Sequence, residues 1–103
     1  MEPTPLKTFT KDPADRRAVG IDWSRWLRPG KVLVSSSWRF HGSSYGATIG
    51  SGEYAPNFDH SKTWLYPFDG LPGRTYLFTN TVEDNSTPPN RGERTIAVVI
   101  VER

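Results

Sequence analysis

The sequence predicts an all-β chain folded as a single antiparallel β-sandwich. Three observations carry that expectation. Short segments alternate apolar and polar residues with a period of two, turn signals separate them about every 8–12 residues, and no segment keeps a helical period. The best helical stretch, DPADRRA at residues 12–18, amounts to one turn at most. A length of 103 residues suits one domain. Hydrophobic residues make up only 35%, but four Trp, four Tyr and five Phe can build a small core from them. That aromatic content also argues against disorder.

Taken in order, residues 1–13 (MEPTPLKTFTKDP) hold three prolines and few apolar residues, which predicts an extended N-terminal arm ahead of a sandwich domain at 14–103. Phe9 can dock this arm as a first edge strand, or the arm can reach a neighbouring subunit. Val19, Ile21 and Trp23 alternate with polar or small residues and predict a half-buried strand. Trp26 and Leu27 break the period, so the chain bends there and turns at Pro29-Gly30. A second strand follows at 32–40, with Val32, Val34, Ser36, Trp38 and Phe40 on one face.

Residues 41–62 are rich in Gly and Ser and predict a long loop with two short strands, Ala47–Ile49 and Glu53–Ala55. Tyr45, Tyr54 and Phe58 in this loop either form a binding surface or pin the loop onto the sandwich. TWLY at 63–66 is a short strand ended by Pro67. TYLFTNTV at 75–82 alternates cleanly, and DNSTPPNRG at 84–92 is a hairpin loop that extends neither neighbour. In the last strand, 93–101, Ile96, Val98 and Ile100 face one way while Ala97, Val99 and Val101 face the other. Being apolar on both faces, it is expected at the centre of a sheet or against another chain.

The search for chemistry comes back thin. The absence of cysteine excludes disulfides and thiolate metal sites. His41 and His60 lack the spaced partners of a zinc site, and no nucleophile-elbow pattern occurs. Asp12 with Asp15, and Glu83 with Asp84, show no sign of the buried, perturbed pairs that acid–base catalysis needs. No enzyme activity, cofactor or metal is therefore expected. Nine Arg and four Lys against 11 acidic residues leave a net charge of +2, too weak and too scattered to argue for nucleic acid. No apolar run reaches membrane-spanning length, and no membrane partner is expected.

The segment Leu71-Pro72-Gly73-Arg74-Thr75-Tyr76 resembles the corner before a late strand of an immunoglobulin-like fold, with Tyr76 as the corner tyrosine. That likeness implies an immunoglobulin-like β-sandwich of the disulfide-free kind and makes Trp38 its buried tryptophan. Other blocks read together with it. Phe9-Thr10-Lys11-Asp12-Pro13 precedes Ile21-Asp22-Trp23-Ser24-Arg25-Trp26-Leu27, then Ser35-Ser36-Ser37-Trp38, Thr63-Trp64-Leu65, Gly73 to Val82, and Glu93-Arg94-Thr95-Ile96. This order resembles small stand-alone proteins encoded among the head and tail structural genes of tailed bacteriophages.

The resemblance implies a structural virion component made in the host bacterial cytoplasm, a neck or tail accessory protein at a fiber or head–tail interface. It implies protein–protein contacts with portal, adaptor, tail or capsid subunits, and several copies in a symmetric assembly. A carbohydrate- or receptor-binding module and a head decoration protein are the alternatives. The residues expected to touch partners are Leu6 and Phe9 on the arm and Tyr45, Tyr54 and Phe58 on the loop.

Overall fold

The strands pair into three sheets whose order follows from which faces carry apolar side chains. A computed structural model describes residues 4–102. Its elements are β1 Thr8–Lys11, β2 Val19–Asp22, β3 Leu33–His41, β4 Ala47–Ile49, a 3-10 turn at Gly52–Tyr54, β5 Asn57–Phe58, β6 Lys62–Leu65, β7 Pro67–Asp69, β8 Thr75–Asp84 and β9 Arg91–Ile100. A four-stranded sheet in the order β1-β9-β8-β3 packs on a three-stranded sheet in the order β2-β6-β5. A ribbon of β4 and β7 flanks them. The result is an immunoglobulin-like sandwich.

β9 lies between β1 and β8, as its two apolar faces require. Its inward residues Ile96, Val98 and Ile100 are buried, and they stand opposite Phe78 and Tyr76 of β8 and Phe9 and Lys11 of β1. β1 runs parallel to β9, pairing Phe9 with Val98. Part of the segment expected as an arm is thus a strand of the sandwich, because Phe9 and Lys11 face inward. The first three residues of that segment lie outside the described residues. The outward face of the large sheet is threonine-rich, and the Thr79 and Thr95 hydroxyls lie 2.8 Å apart in a hydrogen bond.

The two sheets meet through a buried polar network. Asn80 on β8 is fully enclosed. Its Oδ1 accepts hydrogen bonds from the Trp23 indole N–H at 2.9 Å and the Thr63 hydroxyl at 2.6 Å. Its Nδ2 donates to the Ser36 hydroxyl and the Ser37 carbonyl, both at 2.9 Å. One amide therefore joins β3 and β8 to β6 and to the residue that follows β2. Trp26 packs edge-on against Trp23 with ring centroids 5.3 Å apart. Gly92 leaves the space beneath them, since a Cβ there would lie 2.9 Å from both indoles.

The structure departs from the sequence expectations in several places. The 84–92 segment extends both its neighbours, because Val82 pairs with Gly92 and Glu83 with Arg91: β8 runs on to Asp84, β9 begins at Arg91, and the hairpin loop is 85–90. Trp23, 1% exposed, is the core tryptophan; Trp38 is half-buried because β3 is the edge of its sheet. A bulge between Leu33 and Ser35 shifts β3, so Leu33 is buried and Val34 is 52% exposed, off the face it was expected to share. Glu53 and Tyr54 belong to the 3-10 turn instead of a strand. Pro67 begins β7, where a missing N–H is tolerated at a strand's first residue, and pairs with Ile49.

Tyr76 is the corner tyrosine that its segment resembled. Its hydroxyl donates to the Tyr45 carbonyl at 2.7 Å and accepts from the Leu71 N–H at 3.0 Å. Asp84 holds the opposite end, at the 85–90 hairpin loop. Its carboxylate accepts from the Ser86 N–H at 3.0 Å, the Asn90 N–H at 2.9 Å and the Asn90 side-chain amide at 3.0 Å. Burial pushes its pKa up, but the bonds from Asn90 and Ser86 outweigh this and hold it at about 2.

Replacing Asn80 by Leu takes the acceptor from the buried Thr63 hydroxyl and leaves the buried Trp23 indole N–H with only its longer bond to Thr63, at 3.3 Å. The expected cost is about 3 kcal/mol, a fall in Tm of about 15 °C, measured by thermal melts. A second expectation concerns acid. Because the folded Asp84 pKa lies below the ordinary value, its stabilisation is present above about pH 4 and fades as pH falls toward 2. The urea midpoint of the native chain should drop across that window, and that of Asp84→Asn should drop less.

Candidate interaction surface

Carboxylates in this molecule serve backbone turns. Asp12 Oδ1 accepts from the Ala14 N–H, Asp22 Oδ1 from the Ser24 N–H, and Asp59 Oδ1 from the Ser61 and Lys62 N–H groups. These bonds hold the Asp22 and Asp59 carboxyls below the usual range. The histidines lie at opposite ends of β3: His41 ends that strand, while the His60 carbonyl accepts from the N–H of Leu33, which begins it. Among the described residues no three His, Cys, Asp or Glu side chains are grouped to hold a metal ion.

Cations are instead spent on aromatic rings. The Arg16 guanidinium lies 4.7 Å from the Phe68 ring centre and 5.7 Å from that of Tyr54. Arg74 covers Tyr45 at 5.6 Å, and Arg94 covers Trp23 at 5.5 Å. Lys11 is buried and donates to the Asp69 carbonyl at 2.7 Å and the Pro13 carbonyl at 3.2 Å. Burial lowers its pKa, against the opposing pull of Asp15, Asp69 and Asp12. This lysine fastens the end of β1 to the β7–β8 turn.

The five residues expected to meet partners fall into separate places. Leu6 is 57% exposed beside β9, where its N–H donates to the Thr95 carbonyl. Phe9 and Phe58 are half-buried and pack on the core. Tyr54 sits in an aromatic cluster with Tyr66 at 5.1 Å and Phe68 at 5.3 Å, pinning its turn over Gly50. Tyr45 is 69% exposed at the end of the sandwich where β8 begins. Leu6 and Tyr45 are thus the two with open side chains, and they occupy different surfaces.

Leu6 borders a groove of about 540 Å³ between the start of β1 and the sheet of β2 and β6. Ala18, Gly20, Ile21 and Trp64 give it an apolar lining, and Lys7, Lys62 and Asp22 bring charge of both signs to it. Sequence reasoning did not find this groove. Its signal is a topological one: β1 and β2 are the edge strands of facing sheets, and strand pairing is not visible in residue types.

The fold defines a small immunoglobulin-like module, and Leu6, Val34 and Tyr45 are its exposed large apolar side chains among the described residues. Residues 11–99 match the family described as podophage GP4 fiber-tail adaptor protein gp77, and the chain belongs to that family. It is a structural protein of a tailed bacteriophage with a tail-accessory role. No curated protein sequence matches it. Among solved structures it is similar to the solution structure of the PKD domain from KIAA 1837 protein. The TM-score is 0.50 and the identity 22%, covering 97% of this chain and 85% of that one. This likeness supports the sandwich fold. Of the five expected contact residues, Leu6 and Phe9 lie outside the matched span.

Anchoring and exposed aromatics respond differently to truncation. Tyr54→Ala should cost about 2 kcal/mol by emptying the cluster around Arg16, while Tyr45→Ala should change stability by less than about 0.5 kcal/mol. Urea titrations of the two variants check this.

Proposed function

We propose that this protein joins a fiber to the podophage tail by protein–protein contacts alone, without catalysis. The family match over residues 11–99 is the observation that carries the reading. Several copies around a symmetric tail would let each contact be modest, because linked contacts add avidity. Leu6 and Tyr45 are the side chains free to make them. Arg17, Arg25 and Arg28, exposed in the turns on either side of β2, suit acidic or planar groups on a neighbour.

Particles made without this protein test the reading. They should assemble heads and tails but lack fibers, and supplying the chain in trans should restore them. Gold label against the native chain should sit where fibers leave the tail. Fibers retained at normal occupancy on particles without the chain would overturn the proposal, as would label confined to the head.

A further inference from the structure

The sandwich is open on one long side. β1 and β2 are the edge strands of the two facing sheets, and the groove between them has an apolar lining. β2 pairs with β6 through one edge only. The Trp23 N–H donates to the Ser61 carbonyl at 2.7 Å, so by the alternation of antiparallel pairs Val19 and Ile21 turn their backbone groups to β6. Gly20 and Asp22 turn theirs away from it, toward the open side.

Charge there is mixed but cations outnumber carboxylates, with Lys7 and Lys62 beside Asp22 in the groove. A second hollow shares Leu6 with the groove and continues past it to Arg94, whose guanidinium lies over the Trp23 ring. Both signs have partners: Asp22 accepts from the Ser24 N–H and stands opposite Lys62, Glu93 pairs with Arg39 at 3.6 Å and lines the second hollow, and Lys7 lies 5.1 Å from the Phe9 ring centre. An apolar groove that opens into a polar hollow, with a free strand edge beside it and three cations against two carboxylates, fits an extended segment of net negative charge.

We propose that an extended acidic segment of the fiber protein lies along this side, adding a strand to the free edge of β2. Alternate apolar residues of that segment would cover Ile21 and Leu6, and its carboxylates would meet Lys7, Lys62 and Arg94. This rests on the adaptor reading and names the partner chemistry of one of its two contacts. Leu6 and Lys7 precede the matched span, and the rest of the groove lies within it.

The test uses the full chain against a displayed library of random peptides about eight residues long, which span ~26 Å as a strand. Selected peptides should be rich in Asp and Glu with alternating apolar residues, and amide spectra should shift at Gly20, Ile21 and Leu6. Lys7→Glu with Lys62→Glu, both exposed in the native chain, should weaken binding at least about tenfold. No binders, binders without acidic excess, or binding indifferent to the double variant would overturn the proposal. Particles carrying the double variant separate it from the adaptor reading. Chain retained with fibers lost supports the groove. Both retained overturns the groove and leaves the adaptor reading standing, and loss of the variant chain itself means that the groove faces the tail. Absence of the native chain from particles overturns the adaptor reading.

Discussion

The structure depends on the side-chain amide of Asn80. An immunoglobulin-like sandwich must fix how its sheets sit against each other, and this chain has no cysteine with which to clamp them. Asn80 supplies the clamp in hydrogen bonds. Its oxygen takes the Trp23 indole and the Thr63 hydroxyl from one side, and its nitrogen gives to Ser36 and Ser37 on the other. All four capacities of one amide that serve the fold are used, which is why a polar group can be fully enclosed at little net cost. The geometry is directional, so it specifies register as well as proximity. A leucine of the same size would fill the space and leave the relation of the sheets to packing alone.

Much of the rest follows from where that network puts Trp23. Held by its N–H, the indole lies beneath β9, and Gly92 must be glycine for it to fit. Trp26 stacks edge-on behind it and Arg94 covers its exposed side. The chain therefore bends after β2 and leaves β2 as an edge strand with nothing beyond it in its own sheet. β1, fastened at one end by Lys11, forms the corresponding edge of the other sheet. The open side between them results from closing the core around a tryptophan and an asparagine.

Periodicity made most strands legible. Alternation alone marks β2, β8 and β9, and the two apolar faces of Ile96 to Val101 place β9 inside its sheet. The Gly-Arg-Thr-Tyr corner is legible because a tyrosine hydroxyl has a fixed reach to backbone groups a few residues upstream. What periodicity cannot show is a one-residue bulge, which moves Val34 off the expected face without changing any residue type. It also cannot tell which of two tryptophans on neighbouring strands is central, since that depends on strand order. Asn80 reads in sequence as an ordinary polar residue in a Thr-rich strand, and its role exists only once Trp23, 57 positions earlier, is brought to it. Of the expected contact residues, exposure singles out Leu6 and Tyr45, while Phe9, Tyr54 and Phe58 spend their rings on packing.

A sandwich this small has edges it must protect. β5 has two residues, and β1 and β2 have four each, too short to template an aggregate. The long edge of β3 is interrupted by its bulge, carries Arg39, and lies near β5 of the other sheet. The edge left beside an apolar lining is that of β2. Much of the cationic charge is paired or laid on rings, as with Arg39 on Glu93, Arg16 on Phe68, Arg94 on Trp23 and Lys7 on Phe9. With Asp22 on it and Lys7 and Lys62 beside it, the short β2 edge presents charges a partner strand must answer. Specificity at such an edge comes from rejecting strands whose charges do not answer these as much as from the fit.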